Sequence, residues 1–187
     1  MGKVFAFLAD GSEETELLAV VDILKRGGQE VLLVSASGKK DVISAHQIKI
    51  RADFEFAEVN CRDADLLFLP GGMPGTRNLG AHLGLLNALR EAHEENRRIG
   101  AICAAPSILG NLGILEGKKA TCFPGFEPEL GGAVYTKQGV VTDGNITTAR
   151  GLGYALDMGI ELLGLMTDKT LACQIKEAIQ YDHSSVS

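Results

Sequence analysis

Short, continuous apolar runs alternate along the chain with longer segments in which apolar residues recur at helical spacing. Residues 4–8 form the first run, and the absence of polar alternation in it is typical of an inner strand covered on both faces. The next segment carries apolar residues three and four positions apart, at Leu17, Val20, Val21 and Leu24. This spacing predicts an amphipathic helix, which opens near Asp10 and Glu13 and ends at Gly27-Gly28.

The alternation of strand-like and helix-like segments continues through the rest of the chain. Apolar runs predict further strands at residues 31–34, 66–69 and 99–102. Residues 42–50 are predicted to form a hairpin or a small excursion at the sheet edge. Additional strands are predicted at residues 120–123 and 140–148, the second with a Gly-Asn turn. The remaining helical segments cover residues 83–96, 152–165 and 170–180.

Strands and helices in this order predict an α/β protein, with a mostly parallel central sheet and helices on both faces, because parallel strands need long crossover connections. The chain has 187 residues, 45% of them apolar, and no linker or internal repeat. We therefore expect one domain, residues 1–187, with a loose tail after about residue 181. In such sheets ligands bind beyond the carboxyl ends of the strands. Three loops meet there, at residues 9–16, 70–75 and 102–106.

Charge and cysteine content narrow the class of protein. A net charge of −6, with no basic cluster longer than Arg97-Arg98 or Lys118-Lys119, argues against nucleic-acid and anionic-membrane partners and favours a soluble protein that handles small molecules. The first residues lack a signal-peptide pattern, so a cytoplasmic location is expected. Four cysteines, at positions 61, 103, 122 and 173, form no C-x-x-C pair, which argues against a zinc site or a disulfide framework.

Cys103 stands where an apolar strand runs into a predicted helix, between the small residues Ala101 and Ala105. Small residues let strand and helix approach closely, as in a nucleophile elbow, and the helix start favours thiolate over thiol. Free cysteines are usually small buried hydrophobes, and it is the elbow that favours a catalytic role. The N–H groups of Gly72 and Ala104 are predicted to form an oxyanion hole, although a glycine pair after a strand is also common in ordinary turns.

Three acidic residues, Glu13, Glu14 and Glu16, crowd the start of the first helix, where one would satisfy the helix dipole. A carboxyl that faces the sulfur would have a raised pKa, and it could share a proton with the thiolate or carry one to a substrate. Helical phasing places Glu13 and Glu14 nearer the inward face than Glu16. Phasing alone does not select the residue.

Histidine is absent from the position after Cys103, which is Ala104, so peptide hydrolysis through an adjacent histidine is disfavoured. The four histidines lie at positions 46, 82, 93 and 183. Only His46, in the excursion after the second strand, is a candidate for reaching the pocket, and a solvated surface position is the more common situation for such a residue.

Three motifs in this order resemble the ThiJ/PfpI superfamily, and in particular the branch that contains the parkinsonism-associated deglycase and its bacterial relatives. They are Ala9-Asp10-Gly11-Ser12-Glu13-Glu14-Thr15-Glu16, Leu69-Pro70-Gly71-Gly72 and Ala101-Ile102-Cys103-Ala104-Ala105-Pro106. The resemblance spans nearly the whole chain and includes Thr148-Ala149-Arg150-Gly151-Leu152-Gly153.

This resemblance implies a flavodoxin-like three-layer sandwich of the class I glutamine amidotransferase type, a homodimer, and no metal or organic cofactor. It implies that Cys103 is a nucleophile and an oxidation-sensitive thiol. It also selects Glu16, against the phasing argument, as the protonated carboxyl that contacts the sulfur. Backbone groups of Gly72 and Ala104 would flank the reacting oxygen.

The activity that the resemblance implies is a cofactor-independent glyoxalase (hydro-lyase) or deglycase, acting on small reactive carbonyls such as methylglyoxal or on their glycation adducts. The alternative is an oxidative-stress sensor or redox-regulated chaperone that uses the same cysteine. Near relatives often have histidine in place of Phe123, arginine in place of His46, and Gly-Pro-Gly in place of Gly151-Leu152-Gly153. These positions are therefore candidates for the pocket wall that sets substrate choice.

Overall fold

Eleven strands are present in the computed structural model, which describes residues 1–181 of the chain. They are β1 (Lys3–Leu8), β2 (Glu30–Ser35), β3 (Asp41–Ile43), β4 (Lys49–Arg51), β5 (Phe54–Glu55), β6 (Leu66–Leu69), β7 (Arg98–Ile102), β8 (Lys119–Ala120), β9 (Val134–Tyr135), β10 (Val140–Asp143) and β11 (Ile146–Ala149). Six helices accompany them: α1 (Glu14–Arg26), α2 (Gly75–Gly80), α3 (Leu83–Glu94), α4 (Pro106–Asn111), α5 (Ala155–Met166) and α6 (Lys169–Ala178).

Seven of the strands form the central sheet, in the order β10-β11-β7-β6-β1-β2-β5. All neighbouring pairs are parallel except β10 and β11, which form an antiparallel hairpin. β3 and β4 form a separate antiparallel hairpin, as residues 42–50 predict. The apolar runs are buried as expected, and all four residues of β6 and of β11 are buried.

Alternate residues of each inner strand pack against opposite layers of helices. Phe5 and Phe7 of β1 belong to the core shared with α3 and α4, whereas Val4 and Ala6 belong to the core shared with α1 and α5. The side chain of Leu163 in α5 fills the space beside Gly27, where α1 ends. Helices on both faces of a mostly parallel sheet confirm the predicted flavodoxin-like α/β sandwich.

Several local predictions differ from the structure. The side chain that caps α1 is Glu13, which accepts a hydrogen bond from the Glu16 N–H at 2.6 Å, and not Asp10. Asp10 instead accepts the Ile43 N–H of the β3–β4 hairpin at 2.9 Å. The strand predicted at residues 120–123 ends at Ala120, because beyond it the backbone turns toward other partners.

Short elements account for the other differences. The sequence patterns did not predict β5, β9 and α2, which contain two to six residues and are too short to show a periodic pattern. The helix predicted directly after Cys103 is present as α4. The loose tail predicted after about residue 181 lies outside the described residues. No helix among residues 1–181 combines the length and the apolar character needed to cross a lipid bilayer.

The loops that follow β1, β6 and β7 meet at the carboxyl edge of the sheet, as predicted for parallel strands. The Glu13 N–H donates to the Gly71 carbonyl at 2.9 Å, which joins the first two loops. Gly75 lies directly against the backbone of Ser12, so that a Cβ at Gly75 would overlap it. Close contact between the first two loops therefore depends on glycine at this position.

The Gly75→Ala substitution is expected to destabilise the fold by about 1–3 kcal/mol, because the added methyl group must push the two loops apart. Urea unfolding measures this change. Gly153→Ala is the matched control, since nothing lies within 4 Å of a Cβ at that position. Equal unfolding midpoints for the two variants would contradict the prediction.

Candidate active site

Cys103 lies at a sharp turn between β7 and α4, and its backbone has the left-handed conformation with φ of 65°. A non-glycine residue holds this strained conformation only where the surroundings enforce it. Here the Cys103 N–H donates to the Ala149 carbonyl at 2.9 Å, and its carbonyl accepts the Phe123 N–H at 2.8 Å. Ala101 and Ala105 are fully buried on either side. The result is a partly exposed thiol at the sheet edge.

Glu16 is the carboxyl that contacts this sulfur. It lies in the first turn of α1, only 1% exposed, and its Oε2 accepts the Gly71 N–H at 2.9 Å. Burial raises the pKa of Glu16 to about 7, and the charge of Glu13 adds to this effect, while hydrogen bonds with Cys103, Gly71 and Leu152 oppose it. The structure therefore places at the sulfur the residue that the family resemblance selects.

Burial also raises the pKa of the Cys103 thiol, to about 12, and the adjacent negative charge of Glu16 contributes. Hydrogen bonds from the N–H groups of Ala104 and Gly72 to the sulfur act in the opposite direction. The sequence predicts that the helix start favours the thiolate, and this prediction needs correction. α4 has only six residues and begins at Pro106, so its dipole does not outweigh burial and the Glu16 charge.

The two groups titrate as a coupled pair. Between pH values of about 7 and about 12 the pair holds one proton, mainly on the Cys103 sulfur, and transfer of this proton to Glu16 produces the thiolate. With the proton on Glu16, the sulfur is a thiolate that accepts hydrogen bonds from Gly72, Ala104 and the carboxylic acid. With the proton on Cys103, the Glu16 carboxylate accepts the Gly71 N–H. The site can therefore present a nucleophile and an acid side by side.

Two adjacent glycines make this contact possible. A Cβ at Gly71 would lie 2.6 Å from the Cys103 Cβ and 2.7 Å from Glu16 Oε2, so no larger residue fits between them. Gly72 has φ of 87°, and a Cβ there would overlap the backbone of Glu13. The sequence analysis identified Gly72 but missed Gly71 as the anchor of Glu16. The sequence signal that could have identified Gly71 is the pair of glycines that follows β6.

Glu13 and Glu14 have other partners. Glu13 caps α1 through Oε2, and Glu14 Oε1 lies 2.9 Å from Nδ1 of His46. Although burial raises the pKa of Glu14, hydrogen bonds from its own N–H and from Ser44, together with His46, hold it below the usual value. Helical phasing places Glu13 and Glu14 nearer the inward face but does not identify the carboxyl at the sulfur, because Glu16 contacts a loop beside the helix start and not the apolar stripe farther along the helix.

Phe123 and Gly151 line a cavity next to the Cys103–Glu16 pair, whereas His46 does not line it. A cavity of about 350 Å³ is lined by Phe123, Pro124, Arg150, Gly151, Leu152, Gly153 and Tyr154. Phe123 is 48% exposed and bonds to the Cys103 carbonyl through its N–H, and the Leu152 amide bonds to Glu16. This wall therefore adjoins both members of the pair. A larger cavity, of about 500 Å³, lies between α2, α3 and α4. Neither cavity is lined by Cys103 or Glu16, and the smaller one adjoins them through the backbone bonds of Phe123 and Leu152.

Residues that could hold a metal ion lie beside the pair and not within it. His46, Glu13 and Glu14 bring ligand atoms within 4.8 Å of one another. His46 belongs to the turn of the β3–β4 hairpin, and its side chain is 68% exposed.

Known proteins share this architecture. A model of the DJ-1/PfpI family matches residues 2–165 of the chain. Protein dj-1beta of Drosophila melanogaster is 30% identical over 179 residues, which make up 95% of this chain and 96% of that protein. Protein DJ-1 homolog B of Arabidopsis thaliana is 33% identical over 177 residues, covering 94% of this chain and 40% of that protein. The chain thus spans less than half the length of the Arabidopsis relative.

The similarity extends to three-dimensional structure. Oxidized DJ-1 of Toxoplasma gondii superposes with a TM-score of 0.94 at 28% identity, covering 98% of this chain and 100% of that chain. DJ-1beta of Drosophila melanogaster superposes with a TM-score of 0.92 at 29% identity, covering 97% of this chain and 99% of that chain.

The pKa of Glu16 makes a prediction about stability. Between 4.5 and about 7 the folded protein retains a proton on Glu16 that the unfolded chain releases, so the free energy of unfolding should fall as pH rises through this window. Glu16→Gln removes this titration and keeps an oxygen for the Gly71 N–H. Relative to wild type, the variant should gain up to about 3 kcal/mol between the two ends of the window.

Urea unfolding of both proteins at a series of pH values measures this difference. Glu116→Gln, which replaces an exposed glutamate, is the control and should follow wild type throughout. If Glu16→Gln also runs parallel to wild type, the raised pKa of Glu16 is wrong.

Proposed function

The chain belongs to the DJ-1/PfpI family, and we propose that it is an enzyme which uses Cys103 to attack small reactive carbonyls, such as methylglyoxal or early glycation adducts, without a cofactor. The observation that carries this proposal is the contact of the Cys103 sulfur with the Glu16 carboxyl and with two backbone N–H groups. Aldehyde addition needs a nucleophile, an acid for the developing alkoxide and donors to stabilise it. The nucleophile, the acid and the N–H donors all lie around the Cys103 sulfur.

In the first step, the thiolate of Cys103 adds to the aldehyde carbon of methylglyoxal. The C–S bond forms as the carbonyl π bond breaks, and the new alkoxide takes the proton held by Glu16. The N–H groups of Gly72 and Ala104 lie next to the sulfur and would stabilise negative charge on that oxygen. The product of this step is a hemithioacetal and a Glu16 carboxylate.

In the second step, Glu16 acts as the base. The carboxylate removes the hydrogen on the former aldehyde carbon as a proton and returns a proton to the neighbouring carbon, while the proton of the hemithioacetal hydroxyl passes to the ketone oxygen. These transfers convert the hemithioacetal into a 2-hydroxy thioester. Water then hydrolyses the thioester, releasing lactate and restoring the thiol. The net reaction adds one water to methylglyoxal and requires no oxidant or reductant.

The wall of the site favours substrates with an apolar substituent. Phe123, Leu152 and Tyr154 are each more than a third exposed beside the pair, where they can cover the carbon chain of a substrate. Arg150 lines the same cavity, and its positive charge favours a carboxylate product. Protease activity stays disfavoured, because Ala104 follows Cys103 where an adjacent histidine would be needed.

Two further parts of the proposal concern assembly and location, and the first of them rests on family resemblance. We propose that the protein acts as a homodimer and that it works in the cytoplasm. A small carbonyl compound is then its only required partner.

The test is lactate formation from methylglyoxal in the absence of glutathione. We expect measurable turnover by the wild-type protein and none above background in Cys103→Ser, because the hydroxyl is a far weaker nucleophile than the thiolate. Glu16→Gln should lower kcat by about 100-fold or more, since it removes the proton relay.

Cys173→Ser is the matched control, because Cys173 is an exposed thiol on α6, outside the site. It should keep full activity. Lactate formation that survives in Cys103→Ser would show that Cys103 is not the nucleophile, and its absence in the wild-type protein would refute the enzyme assignment.

A redox sensor or redox-regulated chaperone is the second candidate function. The specific observation that favours it is the set of donors around the sulfur, since a sulfinate at Cys103 would accept the same N–H groups and the proton of Glu16. The Toxoplasma relative of similar structure is described as oxidized.

Mild peroxide treatment followed by mass spectrometry tests this second candidate. We expect two oxygen atoms to be added at Cys103 before any other cysteine reacts. Cys61 and Cys122 should remain reduced, because both are buried and peroxide does not reach them, whereas Cys103 is partly exposed. Oxidation that starts at Cys173 and spares Cys103 would count against a sensor.

A further inference from the structure

A second group of side chains with distinctive chemistry lies at the start of α1. His46 Nδ1 is 2.9 Å from Glu14 Oε1 and 3.7 Å from Glu13 Oε1. The ligand atoms of the three residues all lie within 4.8 Å of one another. They come from two segments that are distant in sequence, the start of α1 and the turn of the β3–β4 hairpin. The mechanism of Cys103 uses none of these three side chains directly.

The spacing of these atoms matches a metal centre. In a tetrahedral zinc site with bonds of about 2.1 Å, adjacent ligand atoms lie about 3.4 Å apart. The two distances measured from His46 Nδ1 lie on either side of this value. Small side-chain adjustments would therefore bring all three atoms to bonding distance from one ion. Glu13 can take part without losing its helix cap, because the cap uses Oε2 and leaves Oε1 free.

The burial of the two carboxylates is a second reason to expect a metal ion here. The side chains of Glu13 and Glu14 are only 10% and 9% exposed. Glu14 Oε2 is buried and accepts no hydrogen bond of ordinary length and angle from residues 1–181, so the weak contacts with Ser44 and its own N–H leave it short of a full partner. A buried carboxylate oxygen without a full partner is costly, and a divalent ion bound by both oxygens of Glu14 would remove this cost.

The charges of Glu13 and Glu14 also favour a bound metal ion. Two nearly buried carboxylates converge here. Within the described part of the chain, His46 is the only side chain able to carry positive charge that lies within 4 Å of either one. A divalent cation would neutralise both carboxylates. Imidazole and carboxylate together suit first-row ions such as zinc better than calcium, which prefers oxygen ligands.

We propose that Glu13, Glu14 and His46 form a binding site for a first-row divalent metal ion. Such an ion would tie the β3–β4 hairpin to the start of α1.

Calorimetric titration with zinc tests the proposal. Thiolates also bind zinc, so the full chain is used with Cys103 and Cys173 replaced by serine. We expect one zinc ion per chain. In this background, His46→Arg and Glu14→Gln should each weaken zinc binding by at least about tenfold, since each removes a ligand. The thermal midpoint should rise with zinc in the parent and not in these two variants.

His82→Asn is the matched control, because it removes a histidine outside the site and keeps an acceptor for the Leu85 N–H that His82 caps. It should bind zinc like the parent. Circular dichroism establishes that each variant is folded. The proposal is overturned if the parent does not bind zinc, or if folded His46→Arg and Glu14→Gln bind it as tightly as the parent.

Discussion

The contact between the Glu16 carboxyl and the Cys103 sulfur is the constraint to which the rest of the site is fitted. It places two titratable groups together out of water, and burial raises the pKa of both. Such a pair is tolerable only when hydrogen bonds compensate for the lost water, and the N–H groups of Gly71, Gly72 and Ala104 provide them. Any side chain at residue 71 would occupy the space in which carboxyl and sulfur meet.

The sheet supplies the rigidity that this contact needs. β1, β6 and β7 are neighbours in the sheet, so the loops that carry Glu16, Gly71 and Cys103 leave it side by side. β11 borders β7 on the other side, and its last residue holds the Cys103 N–H in place. The elbow is therefore fixed by hydrogen bonds from two directions, which sustains a left-handed conformation that a free turn would relax.

A carboxyl partner gives this thiol a different chemistry from a histidine partner. The pair holds a single proton over a wide pH range, so it can deliver a proton to an oxygen as the sulfur forms its bond. The proposed carbonyl addition uses that proton and the adjacent N–H groups, whereas the proposed oxidation uses the N–H groups to hold a charged product. Phe123 and Leu152 make the approach to the sulfur more apolar than the pair itself.

The sequence by itself determined the layered α/β architecture, because continuous apolar runs and helical spacing are local patterns. It also identified Cys103, Gly72 and Ala104 as neighbours, since the carboxyl ends of parallel strands share one edge. It did not determine the short elements β5, β9 and α2, the cap at Glu13 or the role of Gly71. The residues alone left Glu13, Glu14 and Glu16 open and the family resemblance selected Glu16, but only the tertiary structure decided what holds Glu16 at the sulfur and that burial keeps the thiol's pKa high. The reason is that the anchoring bond joins Glu16 to Gly71 across 55 residues, and neither that distance nor burial is encoded in local periodicity.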